Sequence, residues 1–338
     1  MTVSSSAIPV LQRLVLAVVT TICLTGPINA GETVTPLEYR RNAEQTFLTY
    51  PEWFLVHSPN EMAAFFRHNL PGNFPYFAHI GQFWSSYGAV YERTKDEFPF
   101  NGEYHTVLTV IGTSTALEYG IKGAYEYTLG RLSERTAGSE FTEEDRLGAE
   151  VAQEYVDFIV ERPWYEFDFF NCFTRLWSDT SFFGSNMMRK LERKYILSSE
   201  YLVKSLYARL IGFGSAASFD APVHKTAVVA SWPDSGSQQA ELIYLPRYQP
   251  FTDAAIELSR QNVLFAEIAG NNGRIVISLL GKEGWNADRA DSTLLLQQPI
   301  ITRPGLYRHI VEVDVRRLSF ALQKTQLDGL TIEHIYDF

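Results

Sequence analysis

The stretch Gly112-Thr113-Ser114-Thr115-Ala116 is where this chain comes nearest to a nucleophile motif. If a strand ran into it and a helix left it, Ser114 would stand on a sharp elbow, its hydroxyl exposed beside backbone amides able to hold an oxyanion. His105 is the nearest base in sequence, and His309 and His334 are further choices. The fifth residue is alanine where the elbow wants glycine, and no series of parallel strand–helix units surrounds it, so the serine-hydrolase reading is an alternative and not the leading one. His57, His68 and His79 recur every eleventh residue, but Pro59, Pro71 and Pro75 interrupt any single helix that could align them. No HExxH, Glu-x-x-His or cysteine pair is present, so neither metal nor cofactor is expected.

Two other groups of residues suit binding. Glu52, Trp53, His57, His79, Gln82 and Trp84 supply the ring and polar groups of a ligand pocket, should the aromatic region enclose one. Lys190, Arg193, Lys194 and Lys204 fall on one side of a helical stretch, with Tyr195, Tyr201 and Phe213 nearby, and could lie against anionic lipid or an acidic partner. The plainer reading of that group is a solvated face balanced by Glu192 and Glu200. Leu191, Tyr195, Leu202, Leu206, Leu210 and Phe213 are then expected to form the buried face of the same helix.

These residues must be positioned by two different kinds of chain. Thr46–Glu92 is rich in Phe, Tyr and Trp, at about twice the 14% of the whole chain, and is punctuated by prolines, so it reads as the nucleus of a helical core. Thr35-Pro36-Leu37-Glu38, Ser58-Pro59-Asn60-Glu61 and Thr142-Glu143-Glu144-Asp145 read as helix-starting caps. A helix follows from about Tyr76 to Tyr91, with Gly81 and Gly88 admitting a close neighbour. Tyr104–Leu132 carries Gly112, Ala116, Gly120 and Ala124 as a small-residue stripe for tight helix packing. Its uncharged part is too short to span a bilayer, which favours a buried central helix; partial membrane embedding there would demand a wide, charge-free outer surface.

From Lys225 the period turns strand-like. Strands are expected at Lys225–Ser231, Glu241–Pro246, Val263–Ala269, Arg274–Leu280, Thr293–Gln298, Tyr307–Val313 and Leu330–Tyr336, with helices near Asp253–Arg260 and Leu318–Lys324. Gly270-Asn271-Asn272-Gly273 reads as a hairpin turn. The fold class is therefore α+β: an aromatic-rich helical domain over 31–219 and a smaller mixed-sheet domain over 220–338, of which the split βαβ arrangement is one form.

The chain of 338 residues has a formal charge of -10, which argues against a nucleic-acid partner. Its first thirty residues contain Arg13, the apolar run Leu14–Thr25 and a small-residue end at Ala30, the pattern of a signal peptide cleaved after Ala30 or retained as an anchor. Export to the periplasm, free or membrane-anchored, is expected. Cys172 would then be the single remaining cysteine, set among phenylalanines as an inert thiol. The segments TFLTYPEW and IGQFW resemble segments of uncharacterised bacterial envelope proteins that pair an N-terminal apolar anchor with this aromatic region. The resemblance spans much of Thr46–Phe219, implies bacterial export and carries no activity. The leading expectation is an envelope protein that binds a partner, a membrane surface or an apolar ligand.

Overall fold

The computed structural model describes residues 33–218, 225–233 and 240–337. The apolar leader, His224 and the tip of the turn after the first strand lie outside the described residues. The fold is α+β, with a helical part followed by two small antiparallel sheets.

The aromatic stretch folds as α1 (Gln45–Glu52), α2 (Phe54–Phe66) and α3 (Tyr76–Thr94). Pro59 does not start a helix: it lies inside α2, and Ser58 is buried in mid-helix instead of capping an end. The chain at Thr35-Pro36 enters only a short 3-10 turn, Leu37–Tyr39, while the Thr142 box forms in full, with Thr142 accepting from the Asp145 amide and Asp145 from the Thr142 amide. α4 (Gly102–Tyr125) begins at an Asn101 cap, passes through a π-helical turn at Glu126–Gly130 and continues as α5 (Arg131–Thr136). α6 (Glu143–Ile159), α7 (Phe169–Ser178) and the long α8 (Met187–Ser218) complete the helical part.

Only part of the small-residue stripe packs. A side chain on Gly112 would run into the Phe83 ring and one on Gly123 would meet Tyr76, whereas Gly120 faces open space and Ala124 is exposed. Gly81 and Gly88, expected at a close approach, also face open space.

The strands β1 (Lys225–Ser231), β2 (Glu241–Pro246) and β3 (Leu264–Ile268) form one sheet in the order β2-β1-β3. A second sheet, ordered β5-β6-β4-β7, holds β4 (Arg274–Gly281), β5 (Ser292–Pro299), β6 (Tyr307–Asp314) and β7 (Thr331–Tyr336). Every ladder is antiparallel, and each sheet holds a split βαβ unit: β2 and β3 flank β1 and are joined by the helix Gln249–Arg260, and β6 and β7 flank β4 and are joined by the helix Leu318–Leu327. The Asn271-Asn272 turn does not close a hairpin between its flanking strands: β3 pairs with β1 and β4 with β6 and β7, leaving a single bridge at Ile268 and Asn271. The turn passes the chain from one sheet to the other. α9 (Gln249–Arg260) and α10 (Leu318–Leu327) cover an aliphatic core of Val228, Ile277, Val311, Leu322 and their neighbours.

The helical and sheet parts share a core. Phe47, Leu48, Tyr50 and Trp53 of α1 and the turn after it pack with Val276 of β4, Ile310 of β6 and Tyr336 of β7. The Thr46 hydroxyl fixes the register of this contact, donating to the Tyr336 carbonyl at 2.6 Å and accepting from the Val276 amide at 3.0 Å.

Candidate functional site

Ser114 sits in the middle of α4, exposed, and its hydroxyl donates to the Ile111 carbonyl at 2.9 Å. No strand feeds it, so there is no elbow. His105 lies nine residues earlier on the same helix, about 13 Å along the axis; it is buried, stacked on Phe100 at 4.6 Å between ring centroids, and its Nδ1 meets the Tyr87 hydroxyl at 3.0 Å. The serine–histidine pairing suggested by the motif is not made.

The proposed pocket residues are held in separate side-chain contacts, and none of them is among the lining of the cavity described below. Glu52 accepts from the Tyr104 hydroxyl, Trp53 stacks on His334 with centroids 3.5 Å apart, and Gln82 donates to the Pro299 carbonyl at 2.6 Å. Trp84 is partly exposed, edge-on to Phe83 and Tyr87. His57 and His79 are brought together, as parts of one buried polar chain between the two halves of the molecule. His57 Nε2 meets the Tyr336 hydroxyl at 3.0 Å and its Nδ1 lies 3.5 Å from Glu333. Glu333 accepts two bonds from Arg308, at 2.6 and 2.7 Å, and Arg308 also donates to Glu61 at 3.1 Å. Glu61 stands 3.7 Å from His79 Nε2, whose Nδ1 meets the Ser58 hydroxyl at 2.9 Å. Ser58 in turn reaches the Tyr119 hydroxyl at 2.9 Å.

Burial drives the ionisation of this chain. It lowers His57 and His79 to about 4, so both rings are neutral at pH 7 and the His57–Glu333 contact is no ion pair there. Burial would raise Glu333, but Arg308 outweighs it and holds the carboxyl down at about 2. On Glu61 burial prevails over Arg308 and the shift is upward. Ser58, His79 and Glu61 have the types of a hydrolytic triad, yet Ser58 is only 1% exposed, sits inside a helix and shares its hydroxyl with Tyr119. Its geometry is that of a structural link.

The basic group on α8 reverses expectation. Lys190, Arg193 and Lys194 are buried and Lys204 is largely covered, so they form no partner or membrane face. Most of their partners come from other helices, and Glu200 comes from α8 itself. Lys204 meets Glu118 at 2.9 Å and Glu200 at 3.0 Å, Lys122 meets Glu200 at 2.9 Å, Arg193 meets Glu126 at 2.7 Å, and Arg189 lies 3.5 Å from Glu134. As the numbers on α4–α5 rise those on α8 fall, so antiparallel helices are joined by a ladder of ion pairs. The first turn of α6 adds Asp145, 2.9 Å from Arg189 and 3.0 Å from Arg193, with Glu144 3.4 Å from Lys194 and Glu143 2.9 Å from Lys190. Arg189 and Glu126 are fully buried. Charges rarely enter an interior unless paired in this way.

The apolar side of α8 faces out. Tyr195, Leu202, Leu206 and Leu210, expected inside, are 43–67% exposed, Leu191 is half-buried, and the Phe213 side chain falls outside the described residues. From Met187 to Tyr207 no exposed residue of α8 is charged. The same holds from Tyr76 to Tyr91 on α3, where Phe77 and Trp84 point out. On α4 and the π turn, Val107, Val110, Leu117, Ile121 and Leu129 are exposed, and between Thr106 and Leu129 the one exposed charge is Glu118, already paired with Lys204. Among the described residues the sheet part exposes far fewer large apolar groups: Leu264, Leu294, Phe320 and Leu327.

A cavity of about 120 Å³ opens between α2, α4, α6, α7 and α8. Its lining combines the charged Glu118, Lys122, Asp145, Arg193, Glu200 and Lys204 with the apolar Leu55, Met62, Phe66 and Val151. Cys172 is buried nearby in the α7–α8 core, its thiol pushed up to about 11 by burial, which leaves it unreactive. Neither the buried chain nor the ladder has a sequence signature, because their partners lie tens to hundreds of residues apart. Comparison with known proteins finds no matching family model, no matching curated protein and no matching solved structure.

Proposed function

We propose that this is a membrane-seated envelope protein whose helical bundle lays its outer surface in lipid while its sheet part remains in water. The observation that carries this reading is the placement of charge in the bundle: ion pairs inside, joining α4–α5, α6 and α8 beside buried apolar clusters, and apolar side chains outside on α3, α4 and α8. In water that distribution is costly, since exposed apolar patches larger than a few hundred Å² are rare on monomers. In lipid it is the favourable one, because ionisable groups there face the bundle interior and pair with one another. The apolar face from Thr106 to Leu129, with the paired Glu118 as its one exposed charge, runs roughly 35 Å at 1.5 Å per residue, close to the ~30 Å of a hydrocarbon core. Among the described residues no helix is long and apolar enough to cross a membrane. The reading is therefore of one-sided seating shared between helices. The leader at Leu14–Thr25, kept or cleaved, would deliver the chain to that surface.

The test is flotation with phosphatidylcholine–phosphatidylglycerol vesicles, alongside carbonate extraction of membranes from expressing cells. The protein should float and resist carbonate, and Leu117→Glu with Ile121→Glu should move it to the aqueous fraction with its circular dichroism unchanged. A protein recovered without detergent as a monodisperse aqueous species that ignores vesicles would end the proposal.

A further inference from the structure

We infer that the cavity between α4 and α8 is a binding site for a single-chain anionic amphiphile, a long-chain carboxylate, entered sideways from the lipid-facing surface. The inference deepens the membrane reading and rests on it for the route of entry. It stands on the charge layout of the cavity wall.

Two ammonium groups, Lys122 and Lys204, share the inner carboxylate of Glu200, at 2.9 and 3.0 Å. That leaves one positive charge, balanced by Glu118 alone. The four are unequally placed: the Lys122, Glu200 and Lys204 side chains are 13%, 18% and 26% exposed, but Glu118 is 45% exposed and stands at the rim. Glu118 is the piece that can swing away. A carboxylate arriving from outside can take its place on Lys204 and restore the same charge balance, whereas a cation would meet two ammonium groups. Lys204 is fixed for the exchange, with its ammonium 5.8 Å from the ring centroids of both Tyr155 and Phe169. Burial would lower Lys204, but Glu118 and Glu200 outweigh it and keep the group charged.

Size and surroundings decide the rest of the ligand. The cavity, at about 120 Å³, is somewhat smaller than the ~150 Å³ apolar cavity that admits a benzene ring. It has room for a head group and the first carbons of a chain. Leu55 and Met62 offer those carbons an apolar wall. The remaining chain must lie outside, and the rim beside Glu118 is flanked on α4 by the exposed Leu117 and Ile121, the same surface assigned to lipid. A wholly water-soluble anion would leave that surface unused.

The experiment measures equilibrium binding of dodecanoate to the purified full chain in phosphatidylcholine nanodiscs, with dodecyltrimethylammonium and dodecanol as head-group controls. Dodecanoate should bind saturably at one site, ahead of both controls. Glu118→Gln should tighten it about three- to tenfold by removing the competing, partly exposed carboxylate. Lys204→Met should weaken it roughly tenfold or more by removing a charge-assisted partner. Ala152→Phe, which fills the cavity without touching a charge, should abolish it. Equal binding of the three head groups, an unchanged affinity in Glu118→Gln, or no saturable dodecanoate binding would each overturn the inference. Glu118→Gln alters a half-exposed side chain and does not ask the bundle to survive a buried unpaired charge. Flotation is read separately: vesicle binding without dodecanoate selectivity sinks only this inference, and selectivity in a protein that ignores vesicles sinks the membrane reading.

Discussion

Replacing Arg308 with methionine should produce a stability loss whose size depends on pH in a direction opposite to ordinary acid denaturation. Arg308 is 5% exposed and donates twice to Glu333 and once to Glu61, so its removal leaves two buried carboxylates with no cation. Breaking a buried ion pair from one side costs about 3–5 kcal/mol. The pH dependence follows from Glu333. In the parent protein its folded value is about 2, below the 4.5 of the free side chain. A depressed value contributes stability that is fully present above pH 4.5 and lost as pH falls through 2. A shift of that size corresponds to about 3 kcal/mol. Without Arg308 burial acts alone and carries the folded value above 4.5, so Glu333 opposes folding at pH 7 and ceases to do so once protonated. The gap between parent and variant should be widest at pH 7 and narrow by roughly 2–3 kcal/mol towards pH 4. Urea titrations followed by circular dichroism at pH 7, 5.5 and 4.5 measure it. A cost below about 1 kcal/mol at pH 7, or a gap independent of pH, would refute the argument that Arg308 is what keeps this junction ionised.

Arg193→Met should cost a similar 3–5 kcal/mol, because it strands Glu126 and Asp145 inside the bundle, and the loss should be read as a fall in urea midpoint in detergent or nanodiscs. His57 and His79 are held near 4 by burial, so each contributes stability that is full above pH 6.5 and disappears as pH falls through 4. His79→Gln should flatten the melting-temperature profile between pH 6.5 and 4, and an unchanged slope would contradict the assignment of a neutral buried ring. Gly112→Ala should lower stability by about 1–3 kcal/mol as the new methyl strikes the Phe83 ring. Gly120→Ala, facing open space on the same helix, should raise it by up to about 1 kcal/mol. Thermal melts of the two glycine variants, measured side by side, check both signs.

Much of the fold could be read from local pattern. The α+β division, the strand at Lys225–Ser231 and the helix beginning at Tyr76 follow from periodicity, β-branched content and proline placement. The Thr142 box was legible because all its partners lie within one turn. The Ser58-Pro59 box looked the same on paper, but Trp53 and Phe54 had already begun the helix under the pull of the aromatic core, so proline is carried inside α2. The Asn271 turn kept its turn and lost its hairpin, because strand partners are chosen by the packing of two sheets and not by the loop between them.

What the sequence by itself determined is that α8 has two unlike sides, one of Leu and Tyr, the other of Lys and Arg. Periodicity measures that contrast and contains no sign: it cannot say which side meets solvent, since the rule that apolar sides turn inward assumes water outside. Only the tertiary structure decided the sign. It brings Glu118, Glu126, Glu134 and the first turn of α6 to the basic side of α8, where each cation finds a carboxylate. A charge can be buried only when its partner arrives with it, and those partners are supplied by helices 44 to 86 residues away. The same reason hid Arg308, whose partners Glu61 and Glu333 come from opposite halves of the chain and meet only once α2 has packed near β6 and β7.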